Sequence, residues 1–70
     1  MMPLAFIGTG EEAIVRKVGG TPEIKRHLND LGFVAGAPVT VVSASDGHLI
    51  VSIKASRIAI SRQMAGKIMV

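Results

Sequence analysis

The sequence contains no cysteine, no tryptophan and no tyrosine, and two phenylalanines are its only aromatic residues. Without cysteine, the chain cannot form disulfides or hold zinc through thiolates. Because aromatic rings are so scarce, the core has to be aliphatic, and we expect Phe6 and Phe33 to be its only rings. The scarcity also disfavours nucleic-acid binding, because small barrels usually stack unpaired bases on aromatic side chains.

Long apolar runs are missing as well. No stretch approaches the roughly 20 residues that a membrane helix needs, and residues 1–7 lack the length and the basic start of a signal peptide. We therefore expect a cytoplasmic protein without direct membrane insertion. The 70 residues predict a single domain, residues 1–70, with little room for a deep cleft lined by catalytic groups. The sequence favours a binding protein over an enzyme.

Charge leaves two interpretations open. Eight basic residues against five acidic ones give a net charge of +3. This mild excess suits ordinary solubility, and it also suits an anionic partner such as nucleic acid or an acidic protein surface. We favour the first interpretation because the basic residues are spread along the chain.

Eight glycines divide the chain into short segments, which is typical of strands and tight turns. Segments rich in β-branched residues predict strands, and Ser45-Asp46-Gly47 predicts a hairpin connection between two of them. We expect Gly32, Gly36 and Gly47 to serve as structural turns. The predicted strands are residues 12–18, 38–44, 48–54, 57–60 and 67–70.

One segment has the signals of a helix, over about residues 22–31. Thr21 can cap it, Pro22 suits its first position, and Gly32 suits a left-handed C-terminal cap with positive φ. An apolar stripe at i, i+4 and i+7 is formed by Ile24, Leu28 and Leu31.

These elements predict a mainly β fold, a small SH3-like five-stranded barrel with one α-helix and a short C-terminal helical turn over residues 61–66. An OB-type barrel is the alternative. We expect the core to include aliphatic residues from every element: Val15, Ile24, Leu28, Leu31, Val39, Val41, Leu49, Val51, Ile53, Ile58, Ile60 and Ile68.

Two sequence patterns are typical of ligand-binding sites, but the residues around them do not suit a bound ligand. Residues 8–13 match the G-x-G-x-x-A dinucleotide fingerprint, but Glu11 and Glu12 would place negative charge where a pyrophosphate binds. His27 and His48 lack the further converging ligands that a metal site needs. No pairing of a nucleophile with a base stands out. We expect no resident cofactor and no metal ligands, with weak transition-metal binding left open.

A candidate for a partner surface is the predicted hairpin over residues 48–61; the alternative is that Glu11, Glu12 or solvent offsets its charge and no partner docks there. A two-residue Ala55-Ser56 turn would pair Lys54 with Arg57, Ile53 with Ile58, and Val51 with Ile60. Lys54 and Arg57 would then point outward as a like-charge pair, which costs stability. Ile50 would lie on the same face near Ser61. The predicted partner-binding residues are Ile50, Lys54, Arg57 and Arg62.

Three stretches, taken in order, resemble the FeoA family. They are Gly10-x-x-Ala13-x-Val15, then Arg26-x-Leu28-x-x-Leu31-Gly32-Phe33-x-x-Gly36-x-x-Val39-x-Val41, and finally Ile58-Ala59-Ile60-x-x-x-x-Ala65-x-x-Ile68-x-Val70. The resemblance covers nearly the whole chain. In two places the sequence differs from many members: Ile60-Ser61 replaces a Leu-Arg pair, and the hairpin at residues 45–47 lacks a longer, proline-containing loop.

The resemblance implies a cytoplasmic, non-catalytic SH3-like barrel that accompanies FeoB, a membrane ferrous-iron permease with a cytosolic GTP-binding domain. Two alternatives stay open. One is a metal-binding or metal-sensing module, because a related barrel forms the C-terminal domain of iron-dependent repressors. The other is a small nucleic-acid-binding barrel.

Overall fold

The computed structural model of the protein describes all residues 1–70 and contains six short strands and two helices. A single 3₁₀ turn over Leu4–Phe6 precedes them. In chain order the elements are β1 (Glu12–Ile14), β2 (Lys17–Val18), α1 (Pro22–Asp30), β3 (Pro38–Ala44), β4 (His48–Ile53), β5 (Ser56–Ser61), α2 (Arg62–Ala65) and β6 (Ile68–Met69). The predicted mainly β character, helix and C-terminal helical turn are therefore present.

The strands form two antiparallel sheets, one in the order β1-β3-β4-β5 and a second that pairs β2 with β6. The predicted first strand, residues 12–18, is divided between them. The N–H of buried Val15 donates to the carbonyl of Ala37, 2.9 Å away, whereas the N–H of Arg16 donates to the carbonyl of Met69 at 2.8 Å. The chain thus passes from one sheet to the other at this point, and the five predicted strands become six in an SH3-like arrangement that is not closed into one sheet.

The two ends of the described chain lie side by side. The backbone N–H of Met2 donates to the carbonyl of Val70 at 3.0 Å, and the N–H of Val70 donates to the carbonyl of Met2 at 2.8 Å. Pro3 and Met69 form an antiparallel bridge next to them. These contacts place residues 2–3 next to β6 of the small sheet.

The core is aliphatic apart from Phe33, which is fully buried. All but three of the predicted core residues are buried, and those three, Ile24, Leu31 and Ile58, are half-buried and packed against the cluster. The buried apolar side chains that were not predicted are those of Leu4, Ala37 and Ala65.

Phe6 does not belong to the core, and the prediction that it does is wrong. Its side chain is 72% exposed, whereas Leu4 in the same 3₁₀ turn is fully buried. With three residues in each turn of a 3₁₀ helix, residues two apart face different directions. Burying Leu4 therefore turns Phe6 towards solvent.

Helix α1 begins and ends as the sequence predicts. The hydroxyl of Thr21 accepts the N–H of Ile24 at 3.3 Å, and Pro22 occupies the first helical position. At the other end, the N–H of Gly32 donates to the carbonyl of Asn29 and the N–H of Phe33 to that of Leu28. This is the hydrogen-bond pattern of a Schellman motif. Gly32 has a φ of +109°, which confirms the predicted left-handed cap.

The other two predicted turn glycines differ from each other. Gly36 has a φ of +90° and donates its N–H to the carbonyl of Val15 at 2.8 Å. Gly47 lies in the connection between β3 and β4, where its φ is outside the left-handed region. The connection is instead closed by a hydrogen bond from the N–H of Ser45 to the carbonyl of His48, at 2.9 Å.

The predicted register of the β4–β5 hairpin is wrong by one position in the turn. The turn residues are Lys54 and Ala55, with φ of 50° and 63°, instead of Ala55 and Ser56. Val51 therefore pairs with Ile58, and Arg57 with Ser52. Short hairpins favour turns with two left-handed residues because their twist matches that of the strands, and here that preference outweighs the poor fit of lysine and alanine.

The cap at Gly32 makes the first testable prediction. A Cβ at this position would lie 3.3 Å from Cδ of Lys54 in a left-handed backbone, so Gly32→Ala should destabilise the fold by about 1–2 kcal/mol. Gly47→Ala is the matched control, because its φ is ordinary and no atom lies within 4 Å of the added Cβ. Equal melting temperatures for the two variants would contradict the role of the cap.

The second testable prediction concerns the hairpin turn at Lys54 and Ala55. Ala55→Gly relieves a left-handed alanine, and after the added chain entropy of glycine is subtracted it should stabilise the fold by about 0.5–1 kcal/mol. Ala35→Gly is the control, because Ala35 is exposed and its φ is not left-handed, so the same change should lower stability slightly. Denaturant melts measure both, and a loss of stability in Ala55→Gly would overturn the turn assignment.

Candidate partner-docking face

The solvent side of the four-stranded sheet carries the side chains that alternate with the core residues. On β4 these are Ile50 and Ser52, which lie between buried residues. On β5 they are Arg57 and Ala59, both exposed. The register sets Ile50 beside Ala59, and Ser52 beside Arg57. We call this side of the sheet the outer face; its residues are Glu12, Ile14, Pro38, Thr40, Ser43, Ile50, Ser52, Arg57 and Ala59.

A polar row crosses the outer face from one edge of the sheet to the other. Glu12 pairs with Thr40, Thr40 with Ser52, and Ser52 with Arg57. The row has a carboxylate at one end and a guanidinium at the other. Three strand spacings of about 4.8 Å separate the two ends, so the charges do not contact each other. The acidic and basic ends are therefore free to contact a partner separately.

Apolar side chains lie on both sides of this row. Ile50 is 39% exposed and adjoins the small side chain of Ala59. Ile14 is 40% exposed and pairs with Pro38 near the opposite corner. Sequence reasoning did not single out Ile14 as a surface residue. Alternation with the predicted core residue Val15 was the signal that could have placed it on the solvent side.

Lys54 and Arg57 do not form the predicted outward pair. Lys54 is the first residue of the turn, and its side-chain methylenes lie over Gly32 at the end of α1. Arg57 lies opposite Ser52 instead. The predicted like-charge repulsion is therefore absent, and Lys54 and Arg57 occupy different parts of the surface.

Arg62 is hydrogen-bonded to the connection between β3 and β4. Its Nε donates to the carbonyl of Ser45 at 2.7 Å, and its backbone N–H donates to the carbonyl of Gly47 at 3.1 Å. The hydroxyl of Ser61 caps α2 by accepting the N–H of Met64 at 3.0 Å. Of the four predicted partner-binding residues, the structure thus places Ile50 and Arg57 together on the outer face, with Lys54 and Arg62 elsewhere.

The surface offers no concave site. It has no detectable pocket, and no three side chains of His, Cys, Asp or Glu come together as a metal site would require. His27 is exposed on α1, and His48 is exposed at the start of β4. None of the helices is long and apolar enough to cross a membrane.

Comparison with known proteins gives a match over nearly the whole chain. The family model described as FeoA domain matches residues 2–70. The chain is 41% identical to the "Putative Fe(2+) transport protein A" of Methanocaldococcus jannaschii, over all of this chain and 85% of that protein.

Solved structures agree. An iron uptake regulatory protein (FeoA) superposes with a TM-score of 0.91 at 29% identity, over 97% of this chain and 92% of that one. The Stenotrophomonas maltophilia FeoA, an SH3 domain protein solved in complex with zinc, has a TM-score of 0.86 at 27% identity, with coverage of 99% and 88%. A manganese-dependent transcriptional repressor shares the fold alone, with a TM-score of 0.86 at 17% identity, over 94% of this chain and 38% of that one.

The two arginines of this region provide a third prediction. Arg62→Met removes the hydrogen bond to Ser45 and should destabilise the fold by about 1 kcal/mol, since charged donors form the stronger hydrogen bonds while solvent exposure weakens them. Arg57→Met is the matched control because no hydrogen bond holds the Arg57 guanidinium to the chain, so its change should stay within about 0.5 kcal/mol. Chemical denaturation measures both, and an equal loss would refute a specific role for the Ser45 contact.

Proposed function

Because the chain belongs to the FeoA family, we propose that it is a non-catalytic accessory protein of ferrous-iron uptake. We further propose that it acts in the cytoplasm by binding the cytosolic region of a FeoB-type permease. The observation that carries the proposal is the match to an Fe(2+) transport protein A over the full length of this chain. The family model, which spans residues 2–70, gives independent support.

The outer face is the surface that we propose for this contact. Ile50 and Ala59 supply a small apolar patch, and Arg57 lies two residues from Ala59 on the same face. Protein interfaces typically combine an apolar centre with arginine and a polar rim. Thr40 and Ser52 supply hydroxyl groups between the apolar corners. Because β-sheet hydrogen bonds hold these residues, the partner would meet a preformed surface.

A metal-binding function is the second candidate, because the S. maltophilia relative was solved in complex with zinc. In this chain the two histidines lie on different elements, α1 and β4. Calorimetric titration with ferrous iron separates the two functions. Sub-micromolar binding that is lost in His27→Ala or His48→Ala would favour the metal-binding function, whereas permease binding without added metal would favour the accessory function.

A nucleic-acid-binding barrel is the remaining alternative from the sequence. Its mark would be oligonucleotide binding that falls steeply with salt, because phosphate contacts release counterions. Titration with an oligonucleotide at two salt concentrations therefore tests this function.

The fourth prediction concerns the outer face. Ile50→Glu should weaken binding to the purified cytosolic region of the permease by about tenfold or more, because it puts a charge into the apolar patch of the interface. Val34→Glu is the matched control, since Val34 is a similarly exposed aliphatic residue, 36% against 39%, outside the sheet. Thermal melts verify that both variants fold. Wild-type affinity in Ile50→Glu would exclude this face, and a wild-type protein that does not bind would exclude the proposed partner.

A further inference from the structure

Strand β5 lies at the edge of the four-stranded sheet, and half of its backbone groups have no partner. The N–H of Arg62, just after the strand, donates to the carbonyl of Gly47. Because hydrogen-bonded pairs alternate in an antiparallel ladder, the even-numbered residues of β5 are the ones that bond to β4. The N–H and C=O groups of Arg57 and Ala59, and the N–H of Ser61, point away from the sheet. No other strand pairs with them.

This edge is long and accessible compared with the opposite one. β5 has six residues, whereas β1 at the other edge has three. Arg57 and Ala59 are exposed, and α2 and β4 are the elements that pack against β5. Natural proteins usually shorten or cover their edge strands, because an open edge pairs with other chains. The β5 edge is therefore available for strand addition.

The charge around the edge indicates what kind of strand it accepts. All five acidic residues lie in the first 46 positions, at Glu11, Glu12, Glu23, Asp30 and Asp46. β5 itself contains Arg57 and no acidic residue, and Arg62 follows it directly. The β1 edge carries Glu12 instead. An acidic strand is attracted to the β5 edge and repelled from the other.

The inward side of β5 adds a second requirement. Ile58 is half-buried, whereas Ile60 on the same side of the strand is 5% exposed. An added strand would place a side chain next to Ile58, and an apolar side chain there would complete its burial. Successive residues of a strand point to opposite faces, so acidic side chains would lie next to Arg57 on the outer side.

We propose that the β5 edge binds an extended acidic segment of a partner protein by strand addition, with acidic and apolar residues in alternation. Main-chain hydrogen bonds provide the affinity in this mode of recognition, and the alternating side chains provide its specificity. The inference goes beyond the proposed function, because it holds for any partner that carries such a segment.

A second copy of this chain fits the edge less well. Pairing of two β5 strands would bring together two strands that each carry Arg57, with Arg62 directly after it, and no acidic residue. Like charges at close range oppose this association. An acidic partner would instead neutralise this positive charge, which is why we choose it as the occupant.

The test uses the full chain and a capped synthetic peptide of alternating valine and glutamate. In the free protein, amide hydrogens of Arg57, Ala59 and Ser61 should exchange at least about tenfold faster than those of Ile58 and Ile60, and the peptide should slow them by a similar factor. A peptide with lysine in place of glutamate, and one with N-methylated backbone, should not protect them. Protection elsewhere, or none at saturating peptide, would overturn the proposal.

A variant tests the same hydrogen bonds from the side of the protein. Ala59→Pro removes an N–H that points away from β4, so the ladder stays intact while peptide binding should fall at least tenfold. Ala59→Val retains the N–H and should bind normally. If the proline variant does not fold, the N-methylated peptide decides the same question. A concentration-dependent dimer in sedimentation that Ala59→Pro dissociates would assign the edge to a second copy and overturn the acidic partner.

Discussion

The left-handed turn at Lys54 and Ala55 is the constraint on which the surface of this protein depends. In an antiparallel hairpin, the position of the turn fixes which pairs exchange hydrogen bonds. A turn one residue later would pair Arg57 with Lys54, and the backbone groups of Arg57 and Ala59 would then bond to β4. With the turn where it is, Arg57 meets Ser52 and those groups point to the open edge.

The same turn also couples the sheet to the helix. The methylenes of Lys54 lie over Gly32, the residue whose left-handed conformation ends α1. The hairpin turn therefore contacts the helix cap directly. Phe33, the only buried aromatic residue, follows that cap in the chain. The inner side of the sheet is fixed by core packing, which leaves the outer face free for a partner.

Sequence reasoning predicted most of the fold because its signals were local. Thr21, Pro22 and Gly32 define a helix by capping chemistry, and the β-branched run of Pro38–Ala44 matches β3 in full. It failed where the outcome depends on tertiary contacts. Val15 bonds to Ala37, whereas Arg16 bonds to Met69, and nothing local marks the passage between the two sheets. The turn at Lys54 and Ala55 has no glycine or asparagine to mark it.

The candidate site was predictable only in part, for the same reason. Alternation along β4 was enough to place Ile50 on the solvent side, and the structure leaves it exposed. The separation of Lys54 from Arg57 and the contact of Arg62 with Ser45 depend on register and on a residue 17 positions away. Such relations are not encoded in any short window of sequence.

The pairing of Met2 with Val70 has a consequence for how the protein is made. The small sheet of β2 and β6 joins the beginning of the domain to its end, so it cannot form while the last residues are still inside the ribosome. Folds with such distant contacts close slowly, because the loop entropy is lost before the contacts form. Until β6 pairs with β2, the aliphatic core lacks Ile68 and is incompletely covered. A chain in that state exposes apolar surface that chaperones and proteases recognise.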